Sequence, residues 1–304
     1  MIGVLVMAYG GPDNLEEVEP YLLDVRGYRP TSAEIVHEVR ERYREIGGRS
    51  PILEQTRRQA KALESALNTN GNEFKAFIGM RHWHPFIKDV LVQMHDQGIE
   101  RAVGVVMAPH YSRMSVGAYY RKVDEASLPI EFMRIENWHL QPGYVQALAK
   151  RVREALERFP EEVRAQVPVI FTAHSLPEKI LEWDDPYPIQ LRETVSALMD
   201  VLGSRPHEFA YQSAAISDIP WLGPDAGEVI ERLASEGKRH ILLCPIGFVC
   251  EHVEILYDID IVYQNLASSL GIHLERIEML NTAPDMIEGL AQLIRAKAEE
   301  AGWL

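Results

Sequence analysis

Cysteine is almost missing from this sequence. Cys244 and Cys250 are the only two in 304 residues. Two thiols cannot form a disulfide framework, and their separation is not the CxxC of a redox or zinc pair. The chain is therefore read as one for a reducing compartment. Positive charge is also scarce: 31 Lys and Arg stand against 45 Asp and Glu, a net charge of −14. Nucleic acids and anionic membrane surfaces both need a basic face, so neither is an expected partner. No apolar run approaches the ~18 residues of a membrane-spanning helix. Residues 1–10 are apolar but carry no basic leader, so they read as a buried strand instead of an export signal. A cytoplasmic protein without integral membrane contact is expected. Nucleotide and hydrolase signatures are missing too. There is no P-loop, no HExxH and no GxSxG, and Tyr9-Gly10-Gly11-Pro12 does not complete a GxGxxG turn. No nucleotide cofactor is indicated.

What is present is a regular alternation. Short, mostly continuous apolar runs at 3–8, 74–79, 102–108, 130–134, 167–172, 208–211, 240–245 and 272–277 read as strands covered on both faces. Between them, 32–45, 52–67, 85–97, 143–158, 188–202, 225–236 and 283–301 carry apolar residues at helical spacing. Strand alternating with helix predicts an α/β fold with parallel sheets and helices on both faces. The strands divide into two groups of four with matching landmarks. The first strand of each group ends in Ala8-Tyr9-Gly10 or Ala173-His174-Ser175, and the third in Ala108-Pro109-His110 or Pro245-Ile246-Gly247. Two similar domains facing one cleft are expected, 1–140 and 141–304, with an insertion at about 10–55 in the first. Ligands of open parallel sheets bind beyond the carboxyl ends of the strands. That rule directs attention to 9–12, 81–85, 109–119, 174–179, 212–225 and 246–260.

Three features in those segments can carry chemistry. His174 closes an apolar strand, where an imidazole can enter the cleft, titrate near neutrality and bind a metal; the competing reading is a histidine that only caps the next turn. Glu251, Glu254 and Asp258, if helical, share one face. Carboxylates so close repel one another and raise a pKa, which suits holding a cation or passing protons; an exposed acidic face is the plainer alternative. His174 with Glu254 suits a borderline divalent ion and does not make a closed four-ligand zinc site. The insertion brings Arg26, Arg29, Arg40, Arg42, Arg44 and Arg49 together with Tyr28 and Tyr43. Two-pronged arginines and flat aromatics suit a flat ligand with carboxylate arms. For Arg40, Arg44 and Arg49, surface ion pairing is the preferred reading.

Six motifs in order give the chain a resemblance over essentially its whole length. They are Leu5-Val6-Met7-Ala8-Tyr9-Gly10, Ile46-Gly47-Gly48-Arg49-Ser50-Pro51, Ala108-Pro109-His110-Tyr111-Ser112, Ala173-His174-Ser175-Leu176-Pro177, Pro220-Trp221-Leu222-Gly223-Pro224-Asp225, and Pro245-Ile246-Gly247-Phe248 through Glu254. With this spacing the sequence resembles the ferrochelatase family. The resemblance implies two Rossmann-like chelatase domains, each a four-stranded parallel sheet flanked by helices, and insertion of Fe²⁺ into a porphyrin. It implies His174 and Glu254 as the catalytic and metal-binding pair. Tyr9 would lie on the opposite porphyrin face, Arg26, Arg42, Tyr43, Ser50 and Tyr119 would hold the macrocycle and its carboxylates, and Trp221 would form a cleft wall. Glu251 and Asp258 would serve as a proton or metal relay.

Some relatives differ from this chain in informative ways. It stops at Trp303-Leu304 without a cysteine-bearing extension, so no iron–sulfur cluster, no permanently bound cofactor and a monomer are expected. Val262 stands where some relatives continue the acidic row, and Arg81-His82 replaces a Lys-His pair. The short form and the polar 13–28 lip resemble bacterial members that metallate coproporphyrin III, giving Fe-coproporphyrin (coproheme) in haem biosynthesis. The competing readings are a protoporphyrin IX ferrochelatase, a cobalt chelatase for another tetrapyrrole, and a non-catalytic porphyrin or haem carrier.

Overall fold

The computed structural model describes residues 1–71, 73–215 and 219–304; within the ligand-facing segment expected at 212–225, residues 216–218 lie outside the described residues. Among the described residues, eight strands form two sheets. The first contains β1 (Ile2–Ala8), β2 (Phe74–Met80), β3 (Arg101–Val106) and β4 (Glu131–Ile135). The second contains β5 (Val169–His174), β6 (His207–Gln212), β7 (His240–Pro245) and β8 (His273–Arg276). Every pairing is parallel. The orders are β2-β1-β3-β4 and β6-β5-β7-β8, one topology used twice. Patterning explains the order. β1, β3, β5 and β7 are almost wholly buried, as central strands must be, whereas the outer β2, β4, β6 and β8 show partly or fully exposed positions.

The helices are α1 (Val18–Val25), α2 (Ala33–Glu45), α3 (Ile52–Leu67), α4 (Ile87–Asp96), α5 (Val116–Ala126), α6 (Pro142–Leu156), α7 (Tyr187–Leu202), α8 (Ala226–Ser235), α9 (Gln264–Ser269) and α10 (Pro284–Glu300). A π-helix spans Glu254–Tyr263. The elements read from periodicity lie within two residues of their expected ends. α1, α5 and the short α9 were not among them. α1 carries Pro20 in its first turn. α5 buries Val116, Tyr119, Tyr120 and Val123, an i, i+3, i+4, i+7 stripe that is plain in the sequence.

The layers stack in order. One apolar cluster packs α4 and α5 on the outer face of the first sheet. The largest cluster joins the inner faces of both sheets through α3, α6, α7 and α10. A third packs α8, α9 and the π-helix on the outer face of the second sheet. The C-terminal helix α10 packs on α6 and also on α3, β3 and β4. The two halves are thus fastened at their backs, which leaves a cleft at the carboxyl ends of the strands. Among the described residues, no helix is long and apolar enough to cross a membrane.

Candidate active site

The carboxyl ends of the strands of both sheets open on one cleft of about 340 Å³, where the strand-end rule places a ligand. Of the residues singled out from the sequence, Tyr9, Tyr43, Ser50, Tyr119, His174, Trp221 and Glu254 line it. They come from both halves of the chain.

His174 is the last residue of β5. Its Nδ1 hydrogen-bonds the Ser175 carbonyl. A carbonyl only accepts, so Nδ1 carries the hydrogen, and in the neutral ring Nε2 keeps its lone pair. Nε2 faces Glu254 Oε2 at 3.7 Å. The Tyr187 hydroxyl donates to the His174 carbonyl at 2.9 Å, fixing the strand end. Trp221 stands beside it, its ring centroid 6.4 Å from the imidazole. A bridge between Pro177 and Trp221 and a hydrogen bond from Leu222 N–H to the Leu176 carbonyl hold the tryptophan loop against β5's exit. The far end of that loop is pinned by Asp225, which forms a capping box with Glu228 at the start of α8.

Glu254 opens the π-helix. In this helix the Gln264 N–H reaches back five residues to the Ile259 carbonyl. Such helices are rare and concentrate at functional sites. Ile255, Ile259 and Tyr263 point into the core. Burial by itself would raise the pKa of Glu254; the His174 and His252 imidazoles and Ser213 outweigh it and hold the carboxyl below its usual range. His252 Nε2 lies 3.9 Å from the same Oε2. That oxygen is buried with no hydrogen-bond partner, so it is available to a proton or cation arriving in the cleft. Asp258 accepts from the Ser213 hydroxyl. Burial pushes Asp258 up to about 6, aided by the Glu254 charge and opposed by Ser213 and Arg42. Ser213 sits in the left-handed region, φ 60°, a conformation that L residues other than Asn and Asp seldom adopt.

The three carboxylates do not form the single α-helical row expected from their spacing. Glu251 precedes the helix and turns toward Arg276, with 4.0 Å between the charged groups. The reason is where the helix begins: Glu251 lies in the turn before it, off the helical face that carries Glu254 and Asp258. The five-residue hydrogen bonding of the helix is likewise hidden in a four-residue apolar spacing, which an α-helix fits equally well.

The opposite wall is aromatic. Tyr9 follows β1, and its 38 % exposure is toward the cleft. Burial pushes its phenol up to about 12 while Arg81 pulls the other way. The Arg81 guanidinium lies 5.8 Å from the Tyr9 ring centre and 5.5 Å from that of Tyr119. Tyr21 and Tyr43 meet edge to face, centroids 6.4 Å apart. Gly11 passes so close to Ser50 that a Cβ would sit 2.6 Å from its side chain. The lip is anchored from β2's exit: His82 Nδ1 pairs with Asp24 at 2.8 Å and the Trp83 indole donates to Glu17 at 2.9 Å. Arg26 is exposed at the end of α1. Arg42 pairs with Glu38 at 2.6 Å and lies over the Tyr257 ring. Neither arginine lines the recess itself. Arg44 pairs with Glu41, as a surface ion pair would, and Arg40 instead donates to the Leu15 carbonyl at 3.2 Å. Cys250 is a buried thiol pushed up to about 12 by burial.

Sequence reasoning did not single out His252, Ser213, Tyr187 or Tyr21. His252 stands inside a quoted motif, two residues before Glu254, and Ser213 directly follows a strand. Their positions in the segments beyond the strand ends were the available signal. Nothing local marks Tyr21.

Known proteins agree with this architecture. The family model described as "Ferrochelatase" matches residues 1–298. A "Ferrochelatase" of Deinococcus radiodurans is 46 % identical over 306 residues, covering 98 % of this chain and 96 % of that protein. A "Ferrochelatase" of Herpetosiphon aurantiacus is 42 % identical, covering 96 % and 97 %. A "Coproporphyrin III ferrochelatase" of Geobacillus kaustophilus is 38 % identical, covering 99 % and 97 %. Among solved structures, SirB from Bacillus subtilis with Fe³⁺ superposes with a TM-score of 0.62 at 11 % identity, covering 99 % of this chain and 98 % of that one. That likeness establishes the chelatase fold of paired parallel sheets. The match over nearly the full length, with the cleft and its histidine–glutamate pair, places this chain in the ferrochelatase family of metal chelatases.

Proposed function

We propose that this chain inserts Fe²⁺ into coproporphyrin III, giving coproheme and two protons. The carrying observation is the His174 Nε2 lone pair, 3.7 Å from a buried carboxylate oxygen that lacks a partner, across the cleft from an aromatic wall. The free macrocycle is nearly flat, so the walls bind it saddled, with rim contacts offsetting the strain. Saddling turns nitrogen lone pairs and N–H bonds out of the ring plane. His174 takes a pyrrole proton at Nε2 as general base. Glu254 stabilises the resulting imidazolium and holds the incoming ion. Asp258, whose carboxyl feels the Glu254 charge, leads protons away; Glu251, turned toward Arg276, is left out of the relay. Tyr9 contacts the opposite macrocycle face, Tyr43, Ser50, Tyr119 and Trp221 hold its edges, and Arg26 and Arg42, outside the recess, meet the carboxylate arms.

Coproporphyrin is favoured over protoporphyrin because it carries four carboxylate arms instead of two, which suits a polar lip bearing arginines, and because several relatives at 38–40 % identity bear that name. We take 1–140 and 141–304 as the two chelatase domains, on the repeated strand order. A ferrous substrate and two free thiols suit the cytoplasm. The test is anaerobic mixing of the protein with Fe²⁺ and either porphyrin, followed by visible absorption. Faster metallation of coproporphyrin III is expected. Preference for protoporphyrin IX would overturn the substrate, and tight binding without metallation would indicate a carrier.

A further inference from the structure

The loop leaving β3 forms part of the cleft wall, since Met114, Ser115 and Tyr119 follow it. Four consecutive residues of that loop are held by the other half of the chain, through α7 and the turn entering it. His110 Nε2 bonds Thr194 Oγ1 at 2.8 Å, and Tyr111 N–H donates to Gln190 at 2.7 Å. The Ser112 hydroxyl and the Arg113 N–H both donate to Asp185 Oδ2, at 3.0 and 2.8 Å. Asp185 Oδ1 accepts from Tyr187 N–H at 3.1 Å. The same Tyr187 donates its hydroxyl to the carbonyl of His174. One buried carboxylate, 6 % exposed, thus joins the strand end that carries the base to the loop that carries the opposing wall.

We propose that Asp185 is a positioning residue that sets the spacing between His174 and the wall bearing Met114 and Tyr119, and through it the distortion imposed on a bound porphyrin. Each half of the molecule brings one side of the cleft. The packing of α10 fastens the halves at the back, and Cys250 packs on Ala8, Ile52, Leu53 and Met80 beside the cleft. On the side of the mouth formed by the loop leaving β3, these hydrogen bonds join the halves. The His110 and Ser112 bonds run between buried groups and those of Tyr111 and Arg113 are partly buried; a buried donor left unpaired carries a desolvation cost, so the loop has one preferred seat. Ser112 passes the constraint on, because its hydroxyl oxygen accepts from the Met114 N–H at 3.2 Å. Asp185 touches no porphyrin in this scheme; it acts through Tyr187 on one side and Ser112 and Arg113 on the other. The inference rests on the porphyrin-metallating reading above.

Asp185→Asn supplies one acceptor oxygen where two are used and sets an amide against a donor. Ser112→Ala removes a single bond of the set and guards against a variant that does not fold. Both are compared with the wild type for kcat, for KM of porphyrin, and for the resonance Raman out-of-plane lines of bound metal-free porphyrin. Displacement of a catalytic group by about 1 Å can cost a hundredfold, so kcat should fall on the order of tenfold to a hundredfold in Asp185→Asn. Ser112→Ala should move the same way by less. KM for porphyrin should stay within about threefold, and the out-of-plane lines should weaken toward those of the flat porphyrin in solution. A lower Tm with unchanged kcat and unchanged lines would overturn the proposal and leave Asp185 a purely structural residue. If the wild type binds porphyrin without metallating it, the functional reading fails. The Raman comparison between wild type and variant then still decides whether Asp185 sets the distortion.

Discussion

Glu254→Gln removes the carboxylate that faces His174 Nε2 at 3.7 Å while keeping its shape. When His174 takes a proton, the wild-type pair gains a charge–charge attraction that glutamine cannot supply. At this separation two unit charges attract by about 4 kcal/mol where the effective dielectric constant is near 20. Glu254 is 27 % exposed and His174 33 %, so solvent screening reduces the effect to about 2 kcal/mol. At ~1.4 kcal/mol per tenfold, the variant should metallate roughly 30-fold slower, and no more than about 1,000-fold slower. Porphyrin affinity should be nearly unchanged, because the walls that grip the macrocycle are intact. The assay is anaerobic metallation at saturating Fe²⁺, paired with fluorescence titration of porphyrin binding. A kcat within about twofold of wild type would refute the assignment of Glu254 to proton transfer. A raised KM for Fe²⁺ with unchanged kcat would confine it to holding the ion.

Asp258 is pushed up to about 6 by burial and by Glu254, so the folded state holds its proton more tightly than the unfolded chain. Stability from this group is therefore present at low pH and lost as pH rises from about 4 to about 6. Asp258→Asn should raise Tm above pH 6 and leave it unchanged near pH 4; a difference independent of pH, measured by circular dichroism melts, would contradict the burial argument. Gly247 lies where a Cβ would stand 2.8 Å from Ala173 Cβ and 3.0 Å from its Cα. Gly247→Ala should therefore cost about 1–3 kcal/mol of stability, as overpacking does, and slow metallation by shifting β5's end at His174. A denaturant midpoint equal to wild type would refute it.

The sequence by itself determined the eight strands and most of the helices. Strand and helix periods are local properties, visible within a few residues. It also pointed to parallel sheets, since a regular alternation of strand and helix is the pattern of right-handed βαβ crossovers. The central places of β1, β3 and β7 were legible in their unbroken apolar runs, and the location of the cleft followed from the strand-end rule. His174 and Glu254 were marked by ending or following such strands.

Tertiary structure alone decided which side chains meet. Glu254's partnership with His252, the bond from Ser213 to Asp258, and the departure of Glu251 toward Arg276 leave no trace in the apolar spacing, and neither does the π-helix that Glu254 opens. The hydrogen bonds that Ser112 and Arg113 donate to Asp185 span 73 and 72 residues. The packing of α10 on α3 and the first sheet joins the two ends of the chain. Periodicity reports whether a residue faces the core. It carries no information about which distant residue waits there, because that depends on how two finished sheets are oriented, and only the packing of the whole chain fixes that.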